Sequence, residues 1–209
     1  MPTFNRPKFV GEAVNAILKQ EGDFEIIVKD GGDSIKHLLP EDDRIIYIHN
    51  KDRGITDAMN QAMKVATGDI FVWANDDDRI TEGTFKFVRD NIEDYKWLVG
   101  KIKLTSGQQM GGMFDYDELL KGNIISQPAV YWTKQAYNKL GEMDEENDLV
   151  SDYEYWLRLG SRYKPKVVDR ILAEYTIHDD QITHKIPQQQ ATQANNVRRK
   201  YGRNGFIGV

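Results

Sequence analysis

The sequence predicts an α/β protein, a Rossmann-like, mostly parallel mixed sheet flanked by helices, with its leading strand short or missing. Three observations carry this expectation. Short β-branched runs alternate with segments of helical period through the first half of the chain, the order that βαβ units require. Each run ends in a polar turn rich in Asp, Asn or Gly. The chain reaches Pro2-Thr3 at once, where a parallel sheet would have its first strand. A length of 209 residues suits one domain, because single cores stop growing only at about 250–300 residues.

The elements follow in order. Residues 7–20 read as a helix, with Asn5 as N-cap, Pro7 in the first turn, and Phe9, Val10, Val14, Ile17 and Leu18 on one face. Residues 24–29 have strand chemistry and stop at Asp30-Gly31-Gly32-Asp33-Ser34; residues 44–49 repeat the pattern. Residues 56–66 are helical, with Ala58, Met59, Ala62, Met63 and Ala66 on one side, and Gly68 ends them. The continuous apolar run 70–74 predicts a central strand buried on both faces. Beyond it come a helix near 84–91, a strand near 97–104 and a Gly-containing mobile loop over 106–125. A strand near 129–132, a helix near 152–163, a strand near 167–175 and a polar tail helix from 187 with a Gly-rich end complete the chain.

Composition narrows the function classes. Lys and Arg total 28 against 33 Asp and Glu, a net charge of −5, which argues against a basic nucleic-acid binder. The absence of cysteine excludes a disulfide scaffold, a zinc ribbon and a thiol nucleophile. No apolar run approaches the roughly 18 residues of a membrane span, and no basic-then-apolar leader opens the chain. The expectation is a soluble, cytoplasmic protein with no nucleic-acid partner.

Asn75-Asp76-Asp77-Asp78 directly follows the most hydrophobic run. In open α/β sheets ligands gather outside the carboxyl ends of the strands, where this loop would lie. Adjacent carboxylates repel one another unless a cation or a basic side chain intervenes. Hard divalent cations take oxygen ligands and leave positions free for substrate phosphates. One reading is therefore a Mg²⁺ or Mn²⁺ site holding a diphosphate; the other is a solvated acidic turn before a helix. An EF-hand does not fit, since its Gly and distant Glu are not at loop spacing.

Several segments stand together in a set order: Pro2-Thr3-Phe4-Asn5-Arg6, Asp30-Gly31-Gly32-Asp33-Ser34, Asp52-Arg53-Gly54-Ile55-Thr56-Asp57-Ala58-Met59-Asn60 and Ala66-Thr67-Gly68-Asp69. Trp73-Ala74-Asn75-Asp76-Asp77-Asp78, Gln127-Pro128-Ala129-Val130 and Ser151-Asp152-Tyr153-Glu154-Tyr155-Trp156-Leu157-Arg158-Leu159 follow. In this order, up to about His178, the chain resembles the family 2 glycosyltransferases of the GT-A fold. The resemblance implies a UDP-sugar donor (UDP-glucose or a similar hexose), Mn²⁺ or Mg²⁺, and inversion at the anomeric carbon. It implies that Pro2, Thr3, Asn5 and Arg6 line the nucleoside pocket, with Asp30 accepting from the uracil ring N–H and Asp57 facing ribose or sugar. It further implies that Asp76 and Asp77 border the nucleotide sugar. Asp78 and Asp76 would hold the metal with His178 as a further ligand, and Asp152 would be the catalytic base. One domain over 1–209 follows, with a nucleotide-sugar half (1–105), an acceptor and base half (106–185) and a helical tail (186–209).

Physical chemistry is consistent with those roles. A diphosphate leaving group gains charge that a bridging cation stabilises, and an acceptor hydroxyl needs a carboxylate to take its proton. Asp152 opens a helix, whose dipole favours the ionised form. Local readings compete: a helix cap for Asp152, with Ser151 equally able, a turn residue for Asp30, a first-turn acid for Asp57 and a half-exposed loop residue for His178. The chain departs from the family in three respects: the strand before Pro-Thr-Phe-Asn is essentially absent, Ser151-Asp152 replaces Glu-Asp, and the processive Gln-x-x-Arg-Trp signature is missing. Addition of a single sugar is expected, to a glycan, lipid or protein acceptor, by this chain alone or as one module of a longer synthase. Trp132, Trp156, Tyr153 and Tyr155 could stack on a sugar or fill the core, and Arg198-Arg199-Lys200 reads as a solvated helix face. A sugar-nucleotide pyrophosphorylase would want a Gly-rich phosphate loop at the start, which is absent. A non-catalytic nucleotide-sugar-binding module would not need the carboxylates Asp57, Asp78 and Asp152.

Overall fold

Two sheets share the strands. The computed structural model describes residues 1–203, in the order β1 (Pro2–Thr3), α1 (Pro7–Leu18), β2 (Ile26–Asp30), β3 (Ile45–His49), α2 (Ile55–Val65), β4 (Ile70–Val72), β5 (Arg79–Ile80) and α3 (Thr84–Ile92). There follow β6 (Trp97–Leu104), β7 (Gln109–Gly111), α4 (Tyr116–Lys121), β8 (Val130–Thr133), α5 (Lys134–Leu140), α6 (Ser151–Arg162), β9 (Lys166–Tyr175), α7 (Ile182–Lys185) and α8 (Pro187–Arg203). The first sheet, β1-β2-β3, is parallel throughout, as the βαβ reading predicts. The second, β4-β8-β6-β9-β5 with β7 on β6, is mixed: only β6 and β9 run parallel.

The core is aromatic beneath the second sheet. Trp97, Trp132 and Trp156 are all fully buried; Trp97 stacks on Trp156 at 6.2 Å between centroids, and Trp132 meets Trp156 edge-on at 5.6 Å. Tyr153 and Tyr155 are buried with them, so these rings form the core rather than a sugar platform. A second cluster joins α1 to β2 through Val10, Val14, Ile17, Ile26 and Val28, the helical face read from the sequence.

Other local expectations change. Asn5 is not the N-cap of α1, a position Arg6 holds; its side-chain oxygen instead accepts from the Asp33 N–H at 2.8 Å. The run 70–74 is not a central strand, because β4 pairs only with β8 and leaves Ile70 and Val72 half-buried. The predicted loop 106–125 contains β7 and α4, the latter capped by Asp115, which accepts from the Glu118 N–H. The tail is helical as α8, and the Gly-rich end at 204–209 lies outside the described residues.

Candidate active site

The carboxyl ends of β1, β2 and β4 converge. Thr3 pairs with Asp30 across the first sheet, and its hydroxyl donates to Asp76 Oδ2 at 2.7 Å, tying that sheet to the acidic loop after β4. Arg6, just before α1, spans two carboxylates: Nη1 donates to Asp76 Oδ1 at 2.9 Å and Nη2 to Asp77 Oδ2. Its Nε is buried without a partner among the described residues. His178, in the loop after β9, stacks on Phe9 of α1 at 4.5 Å and brings Nε2 to 3.0 Å from Asp77 Oδ2. The Asp180 N–H donates to His178 Nδ1, and Arg6 Nη2 also lies 3.0 Å from His178 Nε2, so the ring nitrogen sits between the guanidinium and Asp77.

Asp78 differs from its neighbours. Its oxygens accept from Asn75 Nδ2 at 2.8 Å and from the Thr176 N–H at 3.1 Å, both neutral donors. Burial, and then the charge of Asp77, push its carboxyl up to about 7. Burial also pushes Asp76 up, to about 6, although Arg6 and Thr3 oppose it. Asp78 is thus a buried carboxylate facing no cationic side chain in its hydrogen bonds, which suits a hard cation. Asp76 and Asp77 have oxygens already engaged by Arg6. Among the described residues no three His, Asp or Glu side chains form a ready ligand cluster. A cation there would take Asp78 from the protein and most other ligands from phosphate and water, the pattern usual for Mg²⁺.

Asp30 is fully buried and closes its own turn. Oδ1 accepts from the Gly32 N–H at 3.0 Å, while Oδ2 accepts from the Ile35 N–H at 3.1 Å and from Tyr47 Oη at 2.6 Å. Gly32 permits this packing: a Cβ there would lie 2.2 Å from Asn5 Oδ1. Asp57 lies in the first turn of α2 and accepts from the Arg53 N–H, from Arg53 Nη2 and from Gln61. Burial raises its carboxyl, but the Arg53 N–H and guanidinium outweigh that and hold it below the usual range.

Asp152 opens α6. Burial pushes its carboxyl up to about 6, against the opposing Tyr153 and Asp152 N–H groups and Asn123. Desolvation therefore wins over the helix dipole that the sequence reading weighed alone. The α6 terminus sits against that of α2: Thr56 Oγ1 donates to Ser151 Oγ at 2.8 Å, and Asp148 accepts from the Thr56 N–H at 2.8 Å.

This site meets its relatives at the family level. The family model described as "Glycosyl transferase family 2" matches residues 1–118, more than half of the chain. The chain belongs to glycosyl transferase family 2. It is 26% identical over 212 residues to a PGL/p-HBAD biosynthesis glycosyltransferase of Mycobacterium bovis, covering 90% of this chain and 82% of that one. Solved structures share its GT-A fold. S. aureus TarS 1-349 with UDP-GlcNAc superposes at a TM-score of 0.71, with 18% identity, 94% of this chain and 63% of that one. Mannosyltransferase PcManGT from Pyrobaculum calidifontis, with GDP-Man and Mn²⁺, gives 0.68, with 16% identity, 99% and 64%. The chain spans less than two thirds of these solved chains, and 42% of a longer TarS chain.

Within this family 2 glycosyltransferase, Thr3, Arg6, Asp76, Asp77 and His178 form one bonded cluster, to which Pro2 and Asn5 adjoin through β1 and its turn. Asp57 and Asp152 each adjoin one of the two residues that join the helix ends, Thr56 and Ser151, and among the described residues neither is hydrogen-bonded to the cluster. Sequence reasoning missed the side chains that hold the carboxylates. Asn123 Nδ2 reaches Asp152 Oδ2 at 3.4 Å. Gln127 accepts from Asn75, the donor to Asp78, and itself donates to the Trp73 carbonyl at 2.6 Å. One short segment, 123–127, thus reaches both Asp152 and the Asp78 loop. Only the quoted Gln127-Pro128 pair hinted at it.

Proposed function

We propose that this glycosyltransferase moves one sugar, with inversion, from a UDP-linked hexose to a hydroxyl acceptor, assisted by Mn²⁺ or Mg²⁺. The observation that carries the reading is a pair of desolvated carboxylates held from one segment: Asp152, pushed up to about 6, is bonded to Asn123, and Asp78, pushed up to about 7, is reached from Gln127 through Asn75. Asp152 is ionised at neutral pH yet more basic than an ordinary aspartate, as a general base should be. It takes the acceptor hydroxyl proton as that oxygen bonds to the anomeric carbon and the sugar–phosphate bond breaks. Asp78 would hold the cation, with Asp76 and His178 in the adjoining shell. A bound divalent cation supplies charge stabilisation for the departing diphosphate. Arg6 holds Asp76 and Asp77 in place and offers its Nε to an anionic or nucleoside oxygen.

Uridine selection by Asp30 is the narrower part of the proposal. A carboxylate has about four lone-pair positions; three are filled, by the Gly32 and Ile35 N–H groups of the turn and by Tyr47 Oη from β3, leaving one for the ring N–H. Pro2, Thr3 and Asn5 would bound the same pocket, and Asp57 would face ribose or sugar through the Arg53 turn.

The test is calorimetric titration of UDP, CDP and GDP in EDTA and in Mn²⁺. UDP should bind tightest and need Mn²⁺, and Asp78→Asn should abolish the metal dependence. Equal UDP affinity in EDTA would remove the cation from the reading. GDP binding as tight as UDP would remove the uridine donor.

A further inference from the structure

Asp152 stands at a helix start with little local support. Val150 holds the N-cap position of α6 and caps it with no side-chain hydrogen bond. The chain arrives through the irregular turn Glu145–Val150, in which Asn147 leaves helical geometry at φ −117° and ψ +50°. Uncapped helix starts fray, and side chains on them move with the backbone. The support comes from two other helices. On one side Asp148 accepts from the Thr56 N–H of α2 at 2.8 Å. On the other side lies α8.

α8 attaches mainly through polar bonds. Val197 and Tyr201 sink into the aromatic core, but amide and basic side chains fill most of the rest of the helix. Two of its glutamines close on a single residue. Gln190 Nε2 donates to the Leu149 carbonyl at 3.2 Å, and Gln193 Oε1 accepts from the Leu149 N–H at 2.8 Å. Residues three apart share a helix face, so the pair can reach one peptide segment together. Both backbone groups of Leu149 are thereby fixed from outside their own segment, three residues before Asp152. Further along α8, Lys200 Nζ donates to Asp144 Oδ2 at 2.8 Å and Tyr201 Oη donates to Glu154 Oε1. Arg198 Nη1 donates to the Lys121 carbonyl at 2.9 Å, two residues before Asn123, whose Nδ2 reaches Asp152. α8 therefore bears on Asp152 from the residues before it, from the residues after it and through Asn123.

Given Asp152 as the base proposed above, we propose that Gln190 and Gln193 are positioning residues for it, and that α8 is the brace that sets where its carboxylate meets the acceptor hydroxyl. A general base works only within hydrogen-bond reach of the proton it takes. A misplacement of about 1 Å can cost on the order of 10²-fold in rate. The donor-side carboxylates Asp76 and Asp78 take their bonds from Thr3, Arg6, Asn75 and Thr176. Loosening Leu149 should thus disturb proton transfer and spare the donor.

Hydrolysis of UDP-glucose or UDP-galactose in Mn²⁺, with water in place of the acceptor, tests the brace on the full chain. Gln190→Ala and Gln193→Ala should each lower kcat about three- to tenfold and leave donor KM within about twofold. Gln193→Glu should restore kcat, because a carboxylate still accepts from the Leu149 N–H. Gln190→Glu should not, because it has no proton to give the carbonyl. In an Asp152→Asn background both alanine substitutions should lose their effect, since they act through the missing base. Full additivity there would overturn the brace and leave Asp152 as the base; wild-type kcat in Asp152→Asn would overturn both. A second measurement needs no donor. The Asp152 and Tyr153 N–H groups bond to the Asp152 carboxylate, and their amide exchange should quicken at least about tenfold in the double alanine variant. Exchange in β2 and β6 should keep its wild-type rate. Unchanged exchange at Asp152 and Tyr153 would overturn the proposal. So would an equal rise through β2 and β6, which would make α8 a support of the whole fold.

Discussion

Asp152 and Asp78 have the same chemistry and shift the same way, yet their loss should be felt at different steps. Asp152→Asn removes the proton acceptor and keeps the shape, so kcat should fall by about 10²–10⁴ while UDP affinity stays within about twofold. Because burial places the Asp152 carboxyl near 6, the wild-type rate should fall as pH drops through about 6, as the base becomes protonated. A rate profile flat from pH 5 to 7 would remove Asp152 from proton transfer. Asp78→Asn should act first on donor binding in Mn²⁺. Gln127→Ala is a milder case. Gln127 touches Asp78 only through Asn75, so its loss should raise KM for the donor several-fold, measured with donor saturation curves, and leave the pH limb near 6 unchanged.

At the scale of elements, the first turn of α2 depends on a residue far along the chain. Gly54 occupies the N-cap position with φ +147°, and no side chain of its own caps the helix. The cap comes from Asp148, which accepts from the Thr56 N–H. Asp148→Ala should therefore cost about 1–2 kcal/mol of stability, read by urea unfolding. Gly54→Ala should cost at least as much: it strains a positive φ and drives a Cβ to 2.6 Å from the Asp148 carboxylate. A loss under a few tenths of a kcal/mol in both would deny the cap.

Such dependence marks where the sequence could be read and where it could not. Helices with a strong apolar face, α1 and α2 among them, and the β-branched strands β2 and β6 were legible because their signals are local. Asn5 suggested an N-cap because it precedes Pro7, yet its amide spans to Asp33, a partner that sequence distance hides. The run 70–74 suggested a central strand buried on both faces, yet β4 pairs only with β8 and leaves Ile70 and Val72 half-buried, since apolarity alone does not say which strands a run will pair with. The acidic loop drew attention because charge beside a hydrophobic run is unusual, whereas Asp152 was suggested only by the family resemblance, its local reading being a helix cap. Asn123 and Gln127 were not legible, since a lone amide carries no pattern until folding aims it.

At the scale of the whole molecule, the site lowers the stability of the fold that holds it. Asp76, Asp78 and Asp152 all have carboxyls pushed above their ordinary value, to about 6, 7 and 6. Between about pH 4 and 7 the native state keeps protons that the unfolded chain has released, so each contributes stability at acid pH that is lost as pH rises. Comparing Asp78→Asn with wild type removes everything the two share and isolates one carboxyl. In EDTA the two proteins should be nearly equal at pH 4. The variant should then gain relative to wild type up to pH 7 and hold that gain above it, by at most ~4 kcal/mol for a shift from 3.8 to about 7. Added Mn²⁺ should close the gap at pH 8, because the cation binds the ionised wild-type site and has no charge to meet in the variant. At pH 5, where Asp78 is mostly protonated, the same Mn²⁺ should stabilise wild type far less. Thermal unfolding at pH 4, 5, 7 and 8, with and without Mn²⁺, reads all of these differences. A variant that gains nothing between pH 4 and 8 would show that Asp78 is not held as a desolvated charge, and the cation site built on it would fall with it.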